Sequence, residues 1–167
     1  MLRRSLLVAL LLATCSCGSK DAVSVSGTLA NPQVVVGKAP GGLVSNLSGS
    51  FEVALELGAR ASEPASVDFA VFSLVRADNA MPVLDAPQGK PLSWSASPPP
   101  PVQLSPGDKK TVLVTIETSG APMELPAADK EAVCGAGQLR VVGTIRDGAG
   151  DTWSQPISSS PFLPSGC

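Results

Sequence analysis

Apolar and polar residues alternate with a period of two through much of this chain. Phe51, Val53, Leu55 and Leu57 fall on one side of an extended segment, and Glu52, Ala54 and Glu56 fall on the other. Successive side chains of a strand point to opposite faces, so this pattern predicts a strand with one buried and one wet face. Val112, Val114 and Ile116 repeat it over residues 111–117, with Leu113 the apolar exception on the polar side. Val67, Phe69 and Val71 repeat it again, alternating with Asp68 and Ala70. There the phase slips, because Phe72 and Leu74 are the next apolar pair. A bulge near Val71 predicts such a slip; burial on both faces predicts it equally.

Shorter signals fill the gaps. Val23, Val25 and Leu29 suggest a first strand with Gly27 in its middle, and residues 33–36 form a separate apolar run bounded by Asn31-Pro32 and Gly37. Residues 41–49 read as a loop, and residues 78–101 as an irregular stretch in which Leu92 and Trp94 form a short strand or plug. Residues 98–101 are all Pro, which favours polyproline II and cannot donate ladder hydrogen bonds. Residues 121–131 read as a loop with one helical turn over 126–131. Residues 138–146 and 152–158 read as a hairpin around the turn residues 147–151. With Arg146 opposite Thr152, Ile145 meets Trp153, Gly143 meets Gln155 and Val141 meets Ile157. That puts Trp153 and Ile157 on the face of Leu139, Val141 and Ile145. Pro156 assigns this last strand to a sheet edge.

The first seventeen residues, MLRRSLLVALLLATCSC, follow a different rule. Arg3 and Arg4 precede an apolar run over residues 6–13, then small residues follow. This is the layout of a secretory signal peptide. A spanning helix needs roughly 20 apolar residues, so the run is too short to be one. The small residues ending in Cys resemble the lipobox of bacterial lipoproteins. In that family cleavage falls just before the Cys, whose thiol receives a diacylglycerol and whose new amino group is acylated. Cys17 has Ser16 before it, which fits, and Thr14 at −3. The alternative, Cys15, has Leu12 and Ala13 in fitting places but Thr14 directly before it. Parity favours Cys17, since cleavage there leaves Cys134 and Cys167 as a pair, whereas cleavage at Cys15 leaves an odd thiol. Both lie at the open end of the predicted hairpin, where a bridge pins the carboxyl terminus. In enterobacteria an Asp after the lipidated Cys retains such proteins at the inner membrane. Gly18 in that place implies the outer membrane.

The turn Leu104-Ser-Pro-Gly-Asp108 feeding a Val/Ile/Thr strand is similar to a feature of immunoglobulin-like and fibronectin type III-like domains. The expected organisation is therefore a signal peptide over 1–16, a lipidated tether over 17–22 and one domain over 23–167. The expected fold is all-β: a single antiparallel β-sandwich, immunoglobulin-like, of seven to nine short strands. Sixteen Gly and sixteen Pro agree with that, because they leave little room for long helices.

Composition removes most chemistry. The chain has no His, which excludes Ser-His-Asp triads, His acid catalysis and most zinc sites. It has no C-x-x-C, phosphate-binding loop or dinucleotide fingerprint. Loss of Arg3 and Arg4 with the leader leaves 10 basic against 14 acidic residues, net −4, with no basic block beyond Lys109-Lys110. That argues against nucleic acid. Asp147 and Asp151 are weak candidates for calcium, since Asp and Gly are also the residues a tight turn needs. Glu52 and Glu56, four apart on a wet face, could do glycosidase work, although two acids on a solvated strand face usually serve solvation alone. Trp94 is the candidate ligand contact, by stacking. No cofactor is expected. The leading reading is a non-catalytic adaptor, held at the membrane by its lipid anchor and serving an envelope protein partner. The alternative is a carbohydrate- or peptide-binding module, and a hydrolase using acidic residues comes last.

Overall fold

A computed structural model describes residues 25–38, 44–85, 88–150 and 153–167. The leader, most of the tether and both lipidation candidates, Cys15 and Cys17, lie outside the described residues, as does Asp151. In chain order the elements are β1 (Val25–Lys38), β2 (Ser45–Leu57), β3 (Ala65–Arg76), β4 (Trp94–Ser97), β5 (Val102–Leu104), β6 (Lys109–Ile116), β7 (Met123–Leu125), α1 (Ala127–Gly135), β8 (Leu139–Asp147) and β9 (Ser154–Ser158). The strands form two antiparallel sheets. Sheet one runs β1-β2-β6-β4, with β7 joined to β2 beyond the end of β6; sheet two runs β5-β3-β8-β9.

The alternation read from the sequence is the burial pattern of the strands. Phe51, Val53, Leu55 and Leu57 of β2 and Val112, Val114 and Ile116 of β6 are buried, while Leu113 is exposed. The register of β3 on β8 shifts between Phe69 and Phe72, so a bulge carries the phase slip. It turns Val71 outward and Phe72 inward. Phe72 then meets Phe51 of the facing sheet edge-on, with ring centroids 4.8 Å apart, and Trp94 of β4 at 5.4 Å. Such tilted pairs set the positive edge of one ring against the negative face of another. The two inner faces share one core, making the fold sandwich-like.

Two glycines sit where that core leaves no space. A Cβ on Gly143 of β8 would lie 2.7 Å from Phe72 Cε1, and one on Gly27 of β1 would lie 2.6 Å from Ile145 Cδ1. Gly27 therefore does not interrupt β1; it is where β1 comes closest to sheet two.

Four expectations need correction. Residues 25–38 form one long strand, not two pieces, because the Asn31-Pro32 break is absorbed as an irregularity between Ala30 and Gln33. The loop expected to run to Gly49 stops before Ser45. Residues 45–50 pair as strand because Leu47 alone faces the core while Asn46, Ser48 and Ser50 form the outer face. The helix extends to Gly135, with Val133 as its buried anchor, and Met123–Leu125 is a strand. The hairpin keeps its faces but shifts by two residues. Ile145 faces Gln155 and Gly143 faces Ile157. The bulky Ile157 takes the place opposite the residue with no side chain, and the loop lengthens to accommodate it. As expected, β9 with Pro156 is a sheet edge. The proline run is the crossing from β4 in sheet one to β5 in sheet two, with cis bonds at Ser97-Pro98 and Pro100-Pro101.

After β9 the tail bridges both sheets. Ser159 N–H donates to Val141 O, and Ser159 Oγ accepts from Val141 N–H at 3.1 Å. Phe162 exchanges backbone hydrogen bonds with Leu139 of sheet two. Ser165 N–H then donates to Val34 O, and Val36 N–H donates to Ser165 O, on the outer edge of β1 in sheet one. A Cys134–Cys167 disulfide joins the end of that tail to α1.

Two outcomes follow from this packing. Phe72→Ala should lose about 3–5 kcal/mol by denaturant titration, as a buried ring contacting both sheets. The double variant Cys134→Ser/Cys167→Ser should lose roughly 3–4 kcal/mol, the chain-entropy value for its 33-residue separation. A loss below ~1 kcal/mol in either case would mean that the element is not structural.

Candidate functional site

The side chains singled out by sequence do not converge. Trp94 lies on β4 at the edge of sheet one, half-buried, where its ring rests against Phe72 and, at 6.1 Å, Phe69. Its geometry is that of a lid on the core. Trp153 packs half-buried against the core beside the 148–150 loop, and its carbonyl accepts from Asp147 N–H. Cys134 and Cys167 are at the opposite end of the sandwich.

The acidic candidates are each engaged nearby. Glu52 accepts from Asn31 Nδ2 at 3.0 Å, and Glu56 pairs with Lys109 Nζ at 2.9 Å, both on the outer face of sheet one. Asp147 Oδ1 accepts from Ala149 N–H at 2.9 Å, so its carboxylate shapes the start of the turn. Among the described residues no three His, Cys, Asp or Glu side chains cluster as a metal site. Asp78 stands just past the end of β3. Hydrogen bonds from Arg76 Nε and Nη2 hold its carboxyl below the usual range, on an exposed turn. That arrangement fastens the end of β3 and provides no acid or base for catalysis.

Sequence reasoning missed one feature of sheet two. A groove of about 440 Å³ lies on its outer face, lined by Val71, Ser73, Val142, Thr144, Pro156 and Ser158. The bulge of β3 raises Val71 as one wall, Val142 and Thr144 of β8 lie between, and Pro156 on the edge strand forms the other wall. Two of its signals were present separately, the phase slip and a strand proline. Only the pairing of β3, β8 and β9 brings them together. The lining has hydroxyls and apolar groups but no ionisable side chain. What this face offers a ligand is shape and hydroxyl hydrogen bonds, with no side-chain charge.

Comparison with protein-family models, curated proteins and solved structures finds no match to this chain.

The engaged state of Asp147 gives a direct test. Titration calorimetry with millimolar Ca²⁺ should show no binding heat. A saturable heat lost in Asp147→Asn would instead establish a calcium loop.

Proposed function

We propose that this protein is an exported lipoprotein whose β-sandwich is held at the cell envelope by acylated Cys17 and acts without catalysis, as a structural or adaptor module for another envelope protein. The observation that carries this reading is the Cys134–Cys167 bridge. Disulfides persist outside the cytosol, which is where a leader of the kind at residues 1–16 sends a chain. The bridge also uses both cysteines of the domain. Cys17 is then the one thiol left for acylation once Cys15 is cleaved away. Gly18 after it supports the outer membrane as destination.

An immunoglobulin-like topology belongs to the same reading. The order β1-β2-β6-β4 corresponds to the A-B-E-D sheet of such a domain, and β9-β8-β3 corresponds to G-F-C. The chain departs from that plan in two respects. β5 follows β4 in sequence yet pairs beside β3, and the disulfide joins α1 to the tail instead of linking the two sheets. The fold leaves function open, so the adaptor role rests on the anchor and on the bridge.

A binding-module reading draws on one observation, the apolar groove over β3, β8 and β9. It adds a second candidate surface to Trp94 for a carbohydrate- or peptide-binding module.

Cys17→Ala should leave soluble or unprocessed protein, and crosslinking of the anchored wild type should recover a discrete protein partner. Normal membrane attachment of Cys17→Ala would assign the lipid to Cys15. Saturable binding on a glycan array, with no crosslinked partner, would replace the adaptor by a carbohydrate-binding module.

A further inference from the structure

We propose that the lipid anchor holds the sandwich end-on, with the loops over 58–64 and 105–108 at the bilayer and the helix-bearing end turned away from it. This rests on acylation of Cys17, as proposed above, and adds which surface faces which neighbour.

The described chain enters the fold at Val25, at one end of sheet one, where Val25 faces Leu57. The same end holds the 58–64 connection, the Ser105–Asp108 turn and Asp147 at the close of β8. Only residues 18–24 separate Cys17 from Val25. Seven residues reach no further than ~25 Å even when fully extended. The thirteen residues of β2 carry sheet one about 40 Å to its opposite end. There lie the Lys38–Ser45 pairing, the Thr118–Ala121 turn, α1 and the Cys134–Cys167 bridge. The tether is thus shorter than the domain, and the far end cannot reach the bilayer unless the whole sandwich lies flat or inverts.

Side-chain charge gives little reason for it to do either. At the near end Lys109 pairs with Glu56 at 2.9 Å and Lys110 lies 4.0 Å from Asp108. Arg60 and Glu63 share the adjoining loop, Arg146 pairs with Asp68 at 2.9 Å, and Asp147 adds one further carboxylate. An end with no excess of positive charge gains nothing from anionic headgroups, so the position follows from the tether and not from lipid charge.

Two exposed positions report the orientation, Arg60 at the near end and Ala121 at the far end. Full-length lipidated Arg60→Cys and Ala121→Cys would each carry a donor dye. Each would be reconstituted into phosphatidylcholine vesicles containing an acceptor-labelled lipid, with and without phosphatidylglycerol. Energy transfer from position 60 should exceed that from position 121 by at least about threefold, given the length of β2, and phosphatidylglycerol should not change the ratio. Equal transfer, or more from position 121, in vesicle-bound protein overturns the orientation while leaving the anchor intact. A ratio that depends on phosphatidylglycerol overturns the tether as its cause. Protein that does not travel with the vesicles overturns the anchored reading and the orientation with it.

Discussion

The burial of Phe72 between the two sheets is the constraint to which most of this structure answers. Phe72 reaches the core only because β3 bulges after Phe69, which reverses the facing of every later residue in the strand. Its ring fills the space that Gly143 leaves empty and meets Phe51 across the sandwich. Trp94 closes the side where sheet one ends in a four-residue strand. In a chain with four Phe and two Trp, concentrating Phe51, Phe69, Phe72 and Trp94 at one point gives an aliphatic core a fixed centre. The same bulge throws Val71 outward, and the groove on the outer face is its consequence. Core and groove are thus two sides of one local irregularity.

The second constraint is the management of edges. An open strand edge invites pairing with another chain. Along the outer edge of β1 the C-terminal tail takes up Val34 and Val36, and the disulfide fixes the end of that tail to α1. β9 carries Pro156 at its centre, and β4 gives way to prolines after four residues. A tail that bonds to both sheets also couples them where no strand crosses. This explains why a bridge so close to the carboxyl terminus matters to the whole domain.

Much of this was readable in the sequence wherever a strand has a plainly apolar face. β2 from Phe51, β6 and β3 follow from alternation alone, the phase slip in β3 left a bulge and two-sided burial as equals until the register of β8 decided it, and Pro156 placed β9 at an edge. Cysteine parity gave the bridge. The amino-terminal half of β2 was hidden because its outer face is built of Asn and Ser, the same residues that make loops. The Asn31-Pro32 pair disguised β1 in the same way, since a long partner strand can absorb a break that would end an isolated one. The hairpin register slipped by two because a two-residue shift preserves facing, and only the fit of Ile157 against Gly143 decides between the alternatives. No single stretch announced the groove, because its lining comes from three strands and residues up to 87 apart, Val71 to Ser158. Nothing in the sequence showed that Phe69 and Phe72 would lie against the ring of Trp94.

The functional reading joins a leader and cysteine at one end of the chain to a disulfide at the other, and export is the condition both require. Intact-mass measurement of the protein extracted from membranes, without reductant, tests that condition most directly. The account predicts a chain that begins at Cys17, is heavier by its acyl groups and is lighter by the hydrogens lost to one disulfide. A chain of the full 167 residues, unacylated and with free thiols at Cys134 and Cys167, would contradict it.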